Sequence, residues 1–98
     1  MTIEAIDTGS VRTLKLRGHL DTATAPQLDA ALDRMDGVTG LVLDFAEVEY
    51  ISSAGLRLLL KAQKMFAARG DGMKLLHVCP DVSEVLEITG FDSILTIE

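Results

Sequence analysis

Apolar residues recur along this chain in two rhythms. In V-R-T-L-K-L-R, Val11, Leu14 and Leu16 are apolar and Arg12, Lys15 and Arg17 are charged, with Thr13 blurring the start. Together with residues 3–7 and an intervening Thr8-Gly9-Ser10, this period of two predicts a hairpin of half-buried strands. The spacing then changes. Leu28, Ala31, Leu32 and Met35 form one helical stripe, opened by Pro26 with Thr22 or Thr24 as its cap and stopped by Gly37. G-L-V-L-D-F is a run without alternation, which predicts a strand buried on both faces. A-E-V-E-Y-I reads as a loop.

The second helix is expected over residues 54–69, with Leu59, Ala62 and Phe66 toward the sheet and Arg57, Lys61 and Lys64 on the opposite face. M-K-L-L-H-V predicts a fourth strand. P-D-V-S-E-V-L-E-I-T-G predicts a short helix with Asp81 and Glu84 at capping-box spacing, and S-I-L-T-I a last strand. The order is β-β-α-β-α-β-α-β, an α/β domain. Right-handed crossovers make the later strands parallel, and the one-sided hairpin favours a two-layer, mixed β-sheet with helices packed on one face and the other partly open.

Totals narrow the function. Ninety-eight residues make a single domain, residues 1–98, able to fold without metal or disulfide. Nine basic residues against fifteen acidic ones give a net charge of −6, which disfavours nucleic acid and suits a basic patch on a protein partner. A lone cysteine, Cys79, fits a reducing compartment. The N-terminus lacks the pattern of a signal peptide, and no apolar run is long enough for membrane insertion. A cytoplasmic protein is expected, a monomer or weak dimer.

The chemistry concentrates in E-Y-I-S-S-A-G-L-R-L-L-L, from Glu49 to Leu60. I-S-S-A-G is not a nucleophile elbow, and a serine nucleophile would need His19 or His77 as its base. No phosphate loop, metal-ligand spacing or cofactor motif is present, so the chain reads as no enzyme. The carboxylates of Asp7, Asp21, Asp29, Asp33 and Asp36 suit solvated faces and turns. Cys79 reads as a small hydrophobe at a strand end rather than a reactive thiol. One serine, Ser52 or Ser53, suffices to cap the helix, contributing about 1 kcal/mol. The other is left at the carboxyl end of the central strand, the edge where α/β sheets bind ligands and partners. A phosphoryl group there would meet free N–H groups and the helix dipole.

L-V-L-D-F-A-E-V-E-Y-I-S-S-A-G-L-R-L-L-L resembles the signature of the sulfate-transporter and anti-sigma-factor-antagonist (STAS) domain. L-K-L-R-G-H-L-D-T-A-T-A-P-Q-L and V-C-P-D-V-S-E-V-L-E-I-T-G-F resemble two further elements of the family, in the same order. The resemblance implies an anti-sigma-factor antagonist in a partner-switching cascade. It would bind an anti-sigma factor that is also a serine kinase, be released on phosphorylation, and be restored by a PP2C-type phosphatase. The phosphoacceptor falls on Ser53, and Asp21, Ser52, Ala54, Gly55, Leu56 and Arg57 form the partner-binding surface. The alternative is a STAS scaffold or accessory subunit of a transporter or signalling complex that is never phosphorylated. Two departures bear on the partner: Ser52 replaces an acidic residue, and His19 replaces the Glu of Gly-Glu-Leu-Asp. The chain also stops about where other members begin a C-terminal helix.

Overall fold

A computed structural model describes all residues, 1–98. Its elements are β1 (Thr2–Thr8), β2 (Val11–Leu20), α1 (Ala25–Leu32), β3 (Gly40–Ile51), α2 (Ser53–Ala67), β4 (Gly72–Leu76) and α3 (Pro80–Ile88), followed by a 3-10 turn at Phe91–Ser93. The four strands lie in the order β1-β2-β3-β4. β1 runs antiparallel to β2, and β2, β3 and β4 are mutually parallel. Helices cover one sheet face, giving the two-layer α/β sandwich expected from the element order.

The core joins 21 apolar residues and holds no buried polar or charged residue. Leu14 and Leu16 of β2, Leu41, Leu43 and Phe45 of β3, and Leu75 of β4 project into it, against Leu28 and Leu32 of α1 and Leu59, Ala62 and Phe66 of α2. The stripes read from the sequence are therefore the packed ones. Met35 lies beyond the end of α1 and is still buried. Arg69, two residues past the end of α2, donates to the carbonyls of Met35 (2.6 Å) and Val38 (2.8 Å), which clamps the loop between α1 and β3. On the face expected to be solvated, Arg57 and Lys64 are exposed. Lys61 instead turns to α1 and pairs with Asp29 and Asp33.

The structure changes several expectations. β3 is not buried on both faces: Val42 and Asp44, between the buried Leu41, Leu43 and Phe45, are only half-buried on the open side. A-E-V-E-Y-I is not a loop but the second half of β3. Two register shifts against β2, between Lys15 and Arg17 and between Gly18 and His19, insert extra residues into β3. Its buried positions thus pass from Phe45 to Val48 to Ile51, three apart, and the bulges erase the period of two.

His77 is not inside a strand. β4 ends at Leu76, and His77 adopts φ +57, a left-handed conformation that breaks the extended chain. Asp81 and Glu84 form no capping box, because Pro80 suits the first helical position and sets the boundary at Cys79, whose side chain makes no cap bond. The last strand shrinks to one parallel bridge, Leu75↔Ile97. The 3-10 turn consumes Ser93, so only the last residues are left to pair with β4.

Asp44 joins the open face to the turn after β4. Its carboxylate accepts from the Ala46 N–H and lies 3.0 Å from Nδ1 of His77. Burial raises its pKa, but the His77 hydrogen bond, the Ala46 N–H and the charges of His77 and Lys15 outweigh that and hold it below the ordinary carboxylate value. A group with a lowered folded-state pKa contributes stability above its unfolded value, about pH 4, and loses it as pH falls through the folded value. Asp44→Asn is therefore expected to lower the urea midpoint at neutral pH and to make the acid decline shallower. An acid limb of unchanged steepness would count against this. Some decline remains in the variant, since Asp7 and Asp21 are shifted downward as well.

Gly55 is buried where α2 meets the sheet edge. A Cβ there would stand 2.8 Å from Ile51 Cγ1, 2.8 Å from Leu20 Cγ and 3.0 Å from the Leu20 carbonyl oxygen. Gly55→Ala gains helix propensity but overpacks this contact, and a net loss of about 1–3 kcal/mol is expected in urea unfolding. A raised midpoint would contradict the packing role.

Candidate functional site

β2 and β3 are parallel, so the segments leaving their carboxyl ends emerge side by side. Leu20 pairs with Ile51 as the last step of the ladder, and the Ser52 N–H then donates to the Leu20 carbonyl at 2.9 Å. This joins the turn that begins at Asp21 to the first residue before α2.

The Asp21 turn is built by its own side chains. Asp21 Oδ1 accepts from the N–H groups of Ala23 (3.0 Å) and Thr24 (3.1 Å). The Thr24 hydroxyl donates to the His19 carbonyl at 2.6 Å and accepts from the Asp21 N–H at 3.0 Å. Thr24 is the N-cap of α1, but its hydroxyl faces back into the turn instead of capping. The Thr24 N–H, with help from its hydroxyl, the Ala23 N–H and nearby His19, holds the Asp21 carboxyl below the usual range. Asp21 stays ionised and half-buried at the edge of the site.

The two serines divide unequally. Ser52 is the N-cap of α2 with an extended backbone, φ −102 and ψ 177, and its carbonyl accepts the first helical bond from Leu56 at 2.9 Å. Its hydroxyl makes no cap bond; Oγ is sealed from solvent without a hydrogen-bond partner. Ser53 is the first residue of the helix and is exposed. The opening N–H groups of a helix have no partner within it, so the exposed hydroxyl stands among free donors and the positive end of the dipole.

Around Ser53 the fold gathers most of the residues singled out from the sequence. Ala54 and Arg57 line a shallow groove of about 300 Å³ between the opening turns of α1 and α2. Gly55 and Leu56 are buried beneath it and hold the turn. The groove's other wall, including Thr22, Ala25 and Pro26, was not singled out in the sequence as part of a site. Its one signal there was a helix start directly after Asp21.

The histidines stand elsewhere. His19 is exposed, its Nε2 3.8 Å from a Glu49 oxygen and its ring edge-on to Tyr50 at 5.8 Å between centroids. His77 faces Asp44. Cys79 donates its thiol to the Val48 carbonyl at 3.5 Å; it is half-buried and stands at the N-cap of α3 rather than at the end of a strand. No helix is long and apolar enough to cross a membrane.

Comparison with known proteins agrees with the fold. The family described as "Mlab, STAS domain" matches residues 5–96. A Bordetella bronchiseptica protein classed as an anti-sigma factor antagonist, BtrV, is 39% identical over 84 residues, spanning 84% of this chain and 72% of its own. The anti-sigma-B factor antagonist of Staphylococcus aureus is 26% identical over 99% of this chain and 92% of its own. Among solved structures, the unphosphorylated anti-sigma factor antagonist SpoIIAA superposes with a TM-score of 0.83 at 21% identity, over 99% of this chain and 88% of that one. The phosphorylated form of SpoIIAA from Bacillus gives a TM-score of 0.76 at 20% identity, over 99% and 91%.

The sealed Ser52 hydroxyl has a thermodynamic consequence. Replacing a capping serine by alanine ordinarily costs about 1 kcal/mol, whereas removing a buried hydroxyl without a partner is neutral or stabilising. Ser52→Ala is expected to leave the urea midpoint unchanged or raise it. A loss near 1 kcal/mol would mean that Ser52 caps α2 in solution.

Proposed function

Because the chain belongs to the STAS-domain family, we propose that it is an anti-sigma-factor antagonist in a partner-switching cascade, with Ser53 as its phosphoacceptor. It binds an anti-sigma factor of the serine-kinase class when unmodified and lets go when Ser53 is phosphorylated. A PP2C-type phosphatase restores it. The module has no catalysis of its own and works in the cytoplasm.

One observation carries this reading: of two adjacent serines at one helix start, only Ser53 is exposed, while the Ser52 hydroxyl is sealed. A kinase can reach one and not the other. Phosphorylation adds about −1.5 to −2 charges. At the first turn of α2 those charges are met by free N–H groups, so the fold survives the modification. A partner whose surface is acidic or apolar where it meets Ser53 is repelled by the added charge, even if a basic patch elsewhere on it favours docking to a chain at −6. The names of the relatives support the antagonist role, and a structural neighbour solved in both phosphorylated and unphosphorylated forms supports the switch.

The docking surface in this reading comprises Ser53, Ala54 and Arg57 with the Asp21 turn and the groove wall of Thr22 and Pro26. Ser52, Gly55 and Leu56 form its floor. Affinity purification from native lysate with wild type, Ser53→Ala and Ser53→Asp as baits tests it. A kinase-class partner should be kept by wild type and Ser53→Ala. Ser53→Asp should weaken it at least about tenfold, equivalent to about 1.4 kcal/mol. Equal retention by all three baits would sink the switch and favour a scaffold or accessory subunit indifferent to charge at Ser53.

A further inference from the structure

β1 leaves a long sheet edge without a partner. At the opposite edge β4 is bridged through Leu75↔Ile97, but the outer side of Thr2–Thr8 is free. β1 contains no proline and pairs with β2 without a bulge, so two common devices that block edge pairing are missing. Its hairpin loop is Gly9-Ser10, with Gly9 at φ +63, as the first central position of a type II′ turn requires. In a two-residue hairpin the flanking residues, Thr8 and Val11, face each other as a hydrogen-bonded pair, and the alternation runs back along an unbroken register. The backbone groups of Thr8, Ile6, Glu4 and Thr2 therefore turn toward β2. Those of Ile3, Ala5 and Asp7 turn outward.

We propose that a second copy of this chain pairs antiparallel to β1 about a two-fold axis at Ala5. In that register Ala5 exchanges both backbone bonds with its counterpart, and Ile3 exchanges both with Asp7 of the second copy. Every outward N–H and C=O of the three residues is satisfied. No like charges face each other directly: Glu4 lies beside Ile6 of the second copy, an isoleucine 41% exposed in the single chain. The edge is also charge-balanced within each copy despite the net charge of −6. Glu4 sits across from Lys15, and Asp7 is bound to Arg12 at 2.7 Å.

The helix side of the edge supplies the apolar contact. A groove of about 440 Å³ between β1 and α1 has six apolar residues in its lining, Ile3 and Ala5 among them, together with Arg12, Gln27 and Arg34. Pairing sets Ala5 against its counterpart, with Ile3 of each copy diagonal to Ala5 of the other and across from its Asp7–Arg12 pair, and brings the two grooves toward each other across the axis. A strand pair with little else is small for an interface, so the dimer is weak and concentration-dependent. β2 and β3 stand between β1 and β4 in the sheet, and α2 lies over β3 and β4. Self-pairing therefore leaves Ser53 uncovered in both copies.

Sedimentation velocity on the full chain, from micromolar to submillimolar protein, tests this. Wild type should move toward the dimer with concentration. Ala5→Pro should stay a monomer with unchanged circular dichroism, because its ring removes an N–H that the single chain does not use. Cross-linking reads the register. In a Cys79→Ser background, Ala5→Cys places two thiols across a hydrogen-bonded pair, with Cα atoms about 5.5 Å apart and within disulfide reach. Glu4→Cys leaves them diagonal, about 7–8 Å apart. Mild oxidation should give covalent dimer from the first and little from the second, and this comparison decides the matter if Ala5→Pro fails to fold. Wild type monomeric at every concentration, or equal cross-linking at both positions, overturns the proposal. So does a monomer whose Ile3, Ala5 and Asp7 amides gain exchange protection only when another protein is added, since the edge then belongs to that protein.

Discussion

The bond from the Ser52 amide to the Leu20 carbonyl, 2.9 Å long, continues a parallel ladder past its last paired residues. It holds the exits of two strands at one point of the sheet edge. Gly55 makes the approach possible, since any side chain there would collide with Leu20 and Ile51. α2 can then start immediately after β3, with its N-terminus beside the Asp21 turn. The position of Ser53, the shape of the groove and the sealing of Ser52 all follow from this closeness.

Polarity is distributed to match. The core contains no charge, so each charged group works at an edge or on a surface. Asp21 organises a turn through backbone N–H groups, Lys61 ties α1 to α2, and Asp44 ties β3 to the turn after β4. None of these competes with Ser53 for its surroundings. Its first-turn environment is rich in donors, the setting that the proposed phosphorylation calls for. An apolar body thus carries Ser53 on a surface apart from the packing beneath, which is what the proposed switch requires.

Much of this was legible in the sequence where local periodicity and burial coincide. Leu28 with Leu32, and Leu59 with Ala62 and Phe66, announce helices because one face of each meets a single apolar layer. Leu14 and Leu16 announce a strand for the same reason. The pattern failed where long-range pairing overrides local spacing. Two bulges in β3 turned a continuous strand into an apparent loop at residues 46–51, and a left-handed His77 ended β4 early. The last strand lost most of its length to a 3-10 turn that no periodicity marks. At the site, Ser53 and its neighbours in one segment were readable, whereas the wall supplied by Thr22, Ala25 and Pro26 comes from a different crossover.

By itself, then, the sequence determined the class of the fold, the element order and the segment in which the candidate chemistry lies. Those depend on residue type and on spacing within a few positions. Only the tertiary structure decided which serine is free. Both hydroxyls stand at the same helix start, and either could have been the cap. Ser52 lost its hydroxyl to the interior because parallel pairing draws its backbone onto Leu20, a residue 32 positions away. A contact across that separation leaves no trace in local pattern, and it fixes which side chain faces solvent.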